Sequence, residues 1–348
     1  MERKLLLDAA ESVAPALSAT DIMPIMQCLW FSGDSVMAYN DVIALRAPLR
    51  TDFSGAISGK TLLALLRASR AKDVETITAG DALKIKAAGA RMTLPVQPVD
   101  HFVFEFPKLG VVPPLPVDST AFLQALAACM QSIGDDTGNP DTLGVTVIVD
   151  KASITLYATN NRTMTRAVLP TNKGVKELKL SPRSVLPALF CAQLLKLARK
   201  GGVNLQVDEV DAYLTTPGTN MYGKLVQVDK PLDFAGIFDH HVPGDYRKRL
   251  REIPKRLALA LERATIVAGE DSKTLVSVKE GKLRLVTTTD GKGEIRDVLA
   301  FPDHEDAEFS VKPKVLRAAI EGQEKMLITK QCVVLEHGSI IHLVAGQG

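Results

Sequence analysis

The chain has 348 residues, of which 46% are hydrophobic and 24% are charged. Because ordinary domains contain roughly 100–200 residues, this length argues against a single core and predicts two or three domains. The 42 Lys and Arg residues nearly balance the 40 Asp and Glu residues, which leaves a net charge of +2. This small net charge argues against a protein that coats itself with nucleic acid, but it is compatible with a basic patch on one face.

The N-terminal residues MERKLLLDAAESVAPAL place charge before a short apolar stretch, as secretory signals do. Asp8 and Glu11 interrupt the apolar part, so we predict an amphipathic helix here. No apolar run in the sequence approaches the roughly 20 residues that span a bilayer. Four cysteines lie far apart among apolar neighbours, without the spacing of metal ligands, and we expect buried free thiols. These features predict a cytoplasmic protein.

Residues 55–66, GAISGKTLLALL, resemble a phosphate-binding loop. That motif needs four residues between its first glycine and Gly-Lys-Ser/Thr, and only three stand there in this chain. A shorter loop changes the cradle of backbone N–H groups that would hold a phosphate. A nucleotide-binding enzyme is therefore an alternative with weak support, which an ATPase assay of a Lys60→Ala variant would test.

The same strand-to-helix turn is predicted twice more without those glycines. Residues 177–200 and 307–322 also lead from alternating apolar residues, through a polar turn, into an apolar helical run. We therefore interpret residues 53–71 as a structural turn. Suitable N-caps are Ser58 and Ser181, and prolines that fit the first helical turn are Pro182 and Pro313.

The segments around these turns repeat as well, because a helix and a hairpin precede each turn and a strand pair follows it. Turn residues mark the hairpin tips at Asn40-Asp41, Asn160-Asn161 and Asp290-Gly291. The predicted first helices are 4–17, 119–134 and 254–269, the hairpins are 29–49, 144–169 and 274–301, and the strand pairs are 74–96, 203–228 and 324–345.

Three copies of one module predict an α+β fold of three repeated domains, each with two helices packed on antiparallel sheets. A proline-rich linker (107–118) and a polar, charged, turn-prone linker (233–254) separate the copies. The predicted domains are 1–110, 115–232 and 246–348.

Four segments carry a resemblance to a known family: MPIM (23–26), LYATN (156–160), GKLVQVDKPLDF (223–234) and LERATIVAG (261–269). In their order and spacing the chain resembles a bacterial-type DNA polymerase sliding clamp, the DNA polymerase III beta subunit, in a divergent version such as phages and plasmids carry. The resemblance implies half of a ring: two chains encircle duplex DNA without reading its sequence and confer processivity in DNA replication. It implies no catalytic residue, cofactor or metal.

In this family the helices line the hole. Positive side chains there would attract phosphates weakly and in a salt-dependent way, which permits sliding. The alternative for each cation is an ordinary solvated helix face. The DNA-facing candidates are Arg67, Arg70, Lys72, Lys196, Arg199, Lys200, Lys255, Arg256, Arg263, Lys312, Lys314 and Arg317.

The resemblance also implies a pocket that accepts short apolar peptides of the DNA polymerase and the clamp loader. Residues 161–164 read Asn-Arg-Thr-Met where the family has Gly-His-Arg-Leu, and residues 345–348 read Ala-Gly-Gln-Gly where it has Met-Pro-Met-Arg-Leu. These departures predict an altered peptide preference. For Val334 and Leu343, a plain core position is the alternative. The matching pocket positions are Leu143, Thr159, Met164, Val242, Cys332, Val334, Leu343 and Val344.

Rings of this family close by pairing edge strands of the first domain of one chain and the third domain of the other. An apolar edge strand promotes aggregation unless it is paired, so a homodimer is also a physical expectation. The expected interface residues are Phe102, Phe104 and Phe106 in a predicted strand (101–106), together with Ile266 and Val267.

Two further readings stay open. A clamp-like decoy would bind the same peptides but remain a monomer that cannot stay on circular DNA. An enzyme has little support, because His240-His241 lacks a third ligand, Asp135-Asp136 lies in a turn-rich loop, and no nucleophile elbow or dinucleotide loop occurs in the sequence.

Overall fold

In the computed structural model the chain folds into two compact units. Unit 1 comprises Met1–Pro116 and Lys176–Leu225, and unit 2 comprises Val117–Val175 and Val226–Gly348. The structure describes residues 1–20, 23–98, 104–107, 115, 117–171, 183–198, 204–269 and 272–346. Each unit therefore combines parts of the chain that are far apart in sequence.

The described helices are α1 (Arg3–Val13), α2 (Gly59–Ala68), α3 (Ser119–Cys129), α4 (Ala188–Ala198), α5 (Phe234–His241), α6 (Tyr246–Arg249), α7 (Leu257–Ala268) and α8 (Pro313–Ala319). The described strands are β1 (Cys28–Phe31), β2 (Ser35–Tyr39), β3 (Ile43–Pro48), β4 (Gly55–Ser58), β5 (Glu75–Ala79), β6 (Ala82–Ala87), β7 (Ala90–Pro95), β8 (Gly144–Val149), β9 (Ser153–Thr159), β10 (Thr163–Pro170), β11 (Arg183–Pro187), β12 (Asn204–Val207), β13 (Asp211–Thr215), β14 (Asn220–Lys224), β15 (Arg251–Glu252), β16 (Thr274–Lys279), β17 (Lys282–Thr289), β18 (Gly293–Ala300), β19 (Ala307–Val311), β20 (Lys325–Ile328), β21 (Cys332–His337) and β22 (Ile340–Ala345).

The order of elements repeats three times. Each repeat has a helix, three strands, one strand that leads directly into a second helix, and three more strands. The α+β fold of three repeats is thus confirmed. Each segment predicted as a pair of strands contains three strands, because a further tight turn divides it, such as Ala88-Gly89 with φ of 48° and 84°. The middle repeat contributes α3 to unit 2 and α4 to unit 1, so the three domain boundaries stay a prediction.

The middle strand-to-helix turn lies later than predicted. Strand β11 runs to Pro187 and α4 begins at Ala188, whereas Ser181 and Pro182 lie outside the described residues. The segment stays extended because Val185 and Leu186 are buried as strand residues. In the other two repeats the prediction is confirmed: Ser58 caps α2 by accepting from the Thr61 N–H, and α8 begins at Pro313.

Packing accounts for the glycines of the loop that resembles a phosphate site. Gly55 has a φ of +128°, and a Cβ there would lie 2.3 Å from Val96 Cγ1. A Cβ on Gly59 would lie 2.5 Å from Leu17 Cδ1. Both positions exclude a side chain because neighbouring apolar groups come too close, which supports the interpretation as a structural turn.

Unit 1 contains a seven-stranded sheet in the order β12-β13-β14-β3-β2-β1-β4 and a three-stranded sheet β5-β6-β7. The pairing of β14 with β3, which places Tyr222 opposite Ala44, joins strands from two repeats. Helix α1 packs on β2 and β3 and buries Leu6, Ala10 and Val13. These residues are spaced four and three apart, so they form one face of the helix.

Unit 2 contains strands in the order β8-β9-β10-β22-β21-β20-β15 and a second sheet β18-β17-β16-β19. Again strands from two repeats meet, because β10 pairs with β22 and Met164 lies opposite Leu343. Helix α7 packs on β17, β18 and α8. Within the described part of the chain, no helix is long and apolar enough to cross a membrane. All four cysteines are buried free thiols, as predicted, namely Cys28, Cys129, Cys191 and Cys332.

The segment predicted as a polar linker (233–254) is folded instead. It forms α5, α6 and β15. Phe234, Phe238 and Val242, spaced four apart, are buried in one cluster with strands of unit 2. The polar residues between them favoured the prediction of a loop, but a four-residue apolar spacing is typical of a helix with one buried face.

Buried polar side chains connect the 3-10 turn Met130–Ser132, which follows α3, to the junction of β10 and β22. His342 Nδ1 lies 2.6 Å from Thr165 Oγ1, which lies 2.9 Å from Ser132 Oγ. Burial lowers the pKa of His342 to about 4. A second buried histidine, His304, accepts a hydrogen bond at Nε2 from the Ile328 N–H (2.9 Å), and burial lowers its pKa as well. Both imidazoles are therefore neutral in the folded chain at pH 7.

Replacing Gly223 with alanine is expected to destabilise unit 1. Its Cβ would lie 2.2 Å from Cδ2 of Phe190, a fully buried residue of α4. Overpacking of this kind costs about 1–3 kcal/mol of unfolding free energy, measured by urea denaturation. Gly218→Ala in the turn before β14 is the matched control, because a Cβ there meets nothing within 4 Å. Equal stability of the two variants would contradict this packing.

Stability is expected to fall in acid because of His342. Its pKa is about 4 in the folded chain and 6.5 without burial. Between these values the unfolded state binds more protons, so the unfolding free energy decreases as pH falls from 6.5 to 4. The shift corresponds to about 3 kcal/mol.

A His342→Gln variant should lose less stability than the parent between pH 7 and pH 4, in urea titrations at each pH. His337→Gln is the control, since the His337 side chain is 50% exposed. A His342→Gln chain with the parent's pH dependence would show that this histidine is not responsible.

Candidate functional site

The junction of β10 and β22 in unit 2 forms the floor of a pocket. Thr159, Met164 and Leu343 lie side by side on three neighbouring strands, since Met164 is paired with both of the others. Side chains alternate between the two faces of a strand, so these three point to the same face. They are joined there by Cys332 of β21.

Helix α5 and the residues before it form the wall. Leu232, Ile237 and His241 line the pocket on this side. The cavity has a volume of about 220 Å³, which is enough for one or two apolar side chains but not for a cofactor. Its remaining lining residues are Asn161, Arg162, Thr163 and Ala345.

Aromatic contacts fix α5 in place. Phe234 stacks on Tyr157 with ring centroids 4.9 Å apart, and the Arg166 guanidinium lies 3.8 Å from the centre of the Phe238 ring. The Asp233 carboxylate caps the helix by accepting from the Gly236 N–H (2.9 Å). The wall of the pocket is thereby fastened to the sheet that forms its floor.

The polar groups of the pocket have distinct states. Burial raises the pKa of the Cys332 thiol, whose Sγ donates to the His241 carbonyl (3.5 Å), so it is a neutral part of the floor. The His241 Nδ1 atom is buried, and no partner for it exists among the described residues. A buried nitrogen of this kind is suited to a hydrogen bond from a ligand. Arg162 is exposed at the rim.

Four of the eight predicted pocket residues line this cavity: Thr159, Met164, Cys332 and Leu343. Val242 and Val334 are buried in the adjoining cluster, and Leu143 is half-buried outside the lining. Val344 belongs to the core on the opposite face of the sheet. The prediction that Val344 lines the pocket is therefore corrected. Neighbouring residues of β22 point to opposite faces of the sheet, so Val344 faces the core where Leu343 faces the pocket.

Sequence reasoning missed the wall residues on α5. Ile237 and His241 are four residues apart, as are the buried Phe234 and Phe238. This four-residue spacing could have indicated a helix with one face toward the pocket, but the segment was predicted to be a linker. Arg162 was named in the sequence only as a departure from the family pattern.

The predicted DNA-facing cations differ in their surroundings. Three form ion pairs with carboxylates: Arg67 with Glu11 (2.8 Å), Arg263 with Asp297 (2.5 Å) and Arg317 with Glu262 (3.6 Å). Arg199 and Lys200 lie outside the described residues, and Lys312 is half-buried. The exposed candidates without an ion pair in the described part of the chain are Arg70, Lys72, Lys196, Lys255, Arg256 and Lys314.

The predicted interface strand differs from the structure. Residues 104–107 are not in a strand, and Phe102 lies outside the described residues. Phe104 stacks on Tyr39 (centroids 4.3 Å apart), and the Arg46 guanidinium lies 4.4 Å from the centre of the Phe106 ring. Both rings pack on their own sheet, because aromatic neighbours there offer more contact than an isolated edge would.

The other predicted interface residues lie on a helix next to an open edge. Ile266 of α7 is 73% exposed, and Val267 is half-buried. Helix α7 packs on β18, the edge strand of its sheet, where Val298 is 59% exposed. An open edge strand packed against a helix that carries an exposed isoleucine is a surface suited to pairing with another chain.

The remaining candidates for chemistry lie apart. His240 and His241 are at the end of α5 with their rings edge-on, 4.9 Å apart. Among the described residues, no group of three or more His, Cys, Asp or Glu side chains is placed to hold a metal ion.

No protein-family model matches the sequence, and no curated protein is detectably similar to it. Solved structures do match over the whole chain. A C. crescentus beta sliding clamp has a TM-score of 0.86 at 17% identity, and a putative DNA polymerase III beta subunit from Eubacterium rectale has 0.85 at 15%. The DNA polymerase III beta subunit of Thermotoga maritima has 0.82 at 15%. Each alignment covers 100% of this chain and 98% of the other. From end to end, this chain therefore has the fold of the DNA polymerase III beta subunit sliding clamps.

Proposed function

We propose that the protein is a DNA sliding clamp, which encircles duplex DNA as a homodimeric ring and tethers a DNA polymerase without catalysing a reaction. The observation that carries this proposal is the match to sliding clamps across the full length of both chains, at a TM-score of 0.86. A match confined to one repeat would fit many functions, whereas a ring needs every repeat. Such a clamp acts on DNA in the cytoplasm.

The charge distribution is consistent with holding DNA by enclosure. The exposed cations without ion pairs, such as Lys196 and Lys314, would face phosphates from the helices, while Arg67, Arg263 and Arg317 are paired with carboxylates. The six exposed candidates without an ion pair in the described part of the chain would give an attraction that weakens as the salt concentration rises. A ring tolerates this weakness, because it is retained by its closed shape and has to slide.

For the ring closure we propose that the β18 edge, with Val298, and the neighbouring Ile266 of α7 meet the partner chain. The opposite side of the joint needs an open edge in unit 1. Strand β7 is the edge of the β5-β6-β7 sheet, and it suits this role better than Phe104 and Phe106, which pack within their own chain.

For the polymerase and loader we propose that the pocket between β10, β22 and α5 accepts a short apolar peptide. Apolar side chains would contact Met164, Leu343 and Ile237. The buried Nδ1 of His241 would hydrogen-bond to the peptide. The exposed Arg162 at the rim favours an acidic residue next to the apolar ones.

Ile266→Asp is expected to convert the dimer to a monomer, because a charge would be buried in the interface. Light scattering at micromolar concentration should give the mass of two chains for the parent and one for the variant. Parent protein reassembled around nicked circular DNA should remain bound in 1 M NaCl and be released when the DNA is linearised.

Val210→Asp is the control for this variant, since Val210 is also exposed, at 52%, in a turn of unit 1. It should stay dimeric. A parent chain that is monomeric at micromolar concentration, or that leaves circular DNA in high salt, would contradict the ring and favour a decoy.

Ile237→Asp is expected to weaken peptide binding at least tenfold, because it places a charge on the apolar wall. Fluorescence anisotropy with a labelled peptide containing Asp-Leu-Phe would measure this. Val168→Asp is the matched control, because Val168 is 39% exposed and Ile237 is 37% exposed, yet Val168 lies outside the pocket. Equal affinity for both variants would move the peptide site elsewhere.

A further inference from the structure

The two units contain equivalent turns that allow their residues to be matched. In unit 1, Asn40 Oδ1 accepts from the N–H groups two and three residues later, at 3.2 and 2.9 Å. In unit 2, Asn160 Oδ1 does the same, at 3.1 and 2.8 Å. The following residues, Asp41 and Asn161, both have a positive φ, of 70° and 65°. Strand β3 of unit 1 therefore corresponds to β10 of unit 2.

Strand pairing extends the match to the pocket. Ala44 in β3 is paired with β2 and β14 just as Met164 in β10 is paired with β9 and β22. The pocket floor of unit 2 thus has a counterpart in unit 1. The corresponding residues are Tyr39 for Thr159, Ala44 for Met164 and Tyr222 for Leu343.

In unit 1 this position is filled by the chain itself. The Phe104 ring stacks on Tyr39, with centroids 4.3 Å apart and planes 16° apart, and lies 5.1 Å from the Tyr222 ring. Where unit 2 leaves a cavity of about 220 Å³, unit 1 holds an aromatic side chain. The segment 104–107 therefore sits where a bound peptide would sit.

Arginines at equivalent positions anchor the covering segments of the two units. Arg46 lies over Phe106 at 4.4 Å and the corresponding Arg166 lies over Phe238 at 3.8 Å. The two segments cover different regions of their sheets, because Phe104 in unit 1 covers Tyr39 and Tyr222, which correspond to the pocket floor of unit 2. In unit 2, Phe234 covers Tyr157 and the pocket is open.

In unit 1, Met37 occupies the position of Tyr157. It borders an open cavity of about 1060 Å³, next to the segment 104–107. Space into which the segment can move therefore exists beside the filled position.

We propose that unit 1 carries a second peptide pocket, which Phe104 occupies and which accepts an aromatic peptide from a partner when the segment 104–107 leaves. The segment acts as a tethered competitor. A short tether gives an effective concentration of roughly millimolar, so a free peptide must exceed this level to enter. One chain would then offer one open pocket and one closed pocket.

The test uses the peptide HFVFEFPK, which is residues 101–108 of the chain, labelled with a fluorophore. All variants carry Ile237→Asp to weaken any binding to the unit 2 pocket, so the result does not depend on the proposed function of that pocket. Phe104→Ala should bind the peptide at least tenfold more tightly than its parent, with one added site per chain by calorimetry. Phe106→Ala is the matched comparison, because it leaves the Phe104 ring in place and removes only the contact that anchors the segment to Arg46, so it should increase peptide affinity less than Phe104→Ala does.

Adding Tyr222→Ala to the Phe104→Ala chain should abolish the gained site. A folded Phe104→Ala chain that gains no site overturns the proposal, and so does a gained site that survives Tyr222→Ala. If thermal melting shows that Phe104→Ala is unfolded, Phe104→Leu is tested by the same criteria. Phe104→Leu should gain the site with an intermediate affinity, since leucine loses the stacking on Tyr39 but fills part of the space.

Discussion

The main-chain pairing of β10 with β22 is the contact on which unit 2 depends. It joins Thr165 to His342, which are 177 residues apart in the chain, and it places Met164 beside Leu343. Because side chains alternate along a strand, the pairing register determines both which residues of β22 face the pocket and which face the core. Leu343 faces the pocket, while His342 and Val344 on either side of it face the core. A shift of one residue would place the histidine in the pocket and the leucine in the polar chain of Thr165 and Ser132.

The pairing of β3 with β14 repeats this arrangement in unit 1 with different side chains. There the core position opposite Leu45 is Met221, where unit 2 has the hydrogen-bonded pair of Thr165 and His342. The two units thus share a backbone and an arginine–phenylalanine contact, but they differ in which region the covering segment fills. A repeated fold allows such divergence because the main-chain hydrogen bonds hold the junction, and the outer side chains are free to change.

The charged residues of the helices are consistent with the proposed clamp, which would hold DNA by enclosure. Arg67, Arg263 and Arg317 each have a carboxylate partner, and exposed ion pairs such as those of Arg67 and Arg317 contribute little to stability. Their larger effect is to reduce the free positive charge of the helical surface. A clamp with many free cations would bind DNA tightly and slide slowly, whereas one that relies on closure benefits from a modest charge.

The three repeats, with the two helices and most strands of each, could be predicted from the amino-acid sequence, because these follow from local periodicity and turn residues such as Asn40-Asp41 and Asn160-Asn161. The resemblance also predicted four of the residues that line the pocket, namely Thr159, Met164, Cys332 and Leu343. The folded chain was needed to show that residues 234–241 form the wall, that Val344 faces the core, and that Phe104 packs on Tyr39 and Tyr222. These facts depend on strand register and on which face a distant segment covers, and neither is a property of the local sequence.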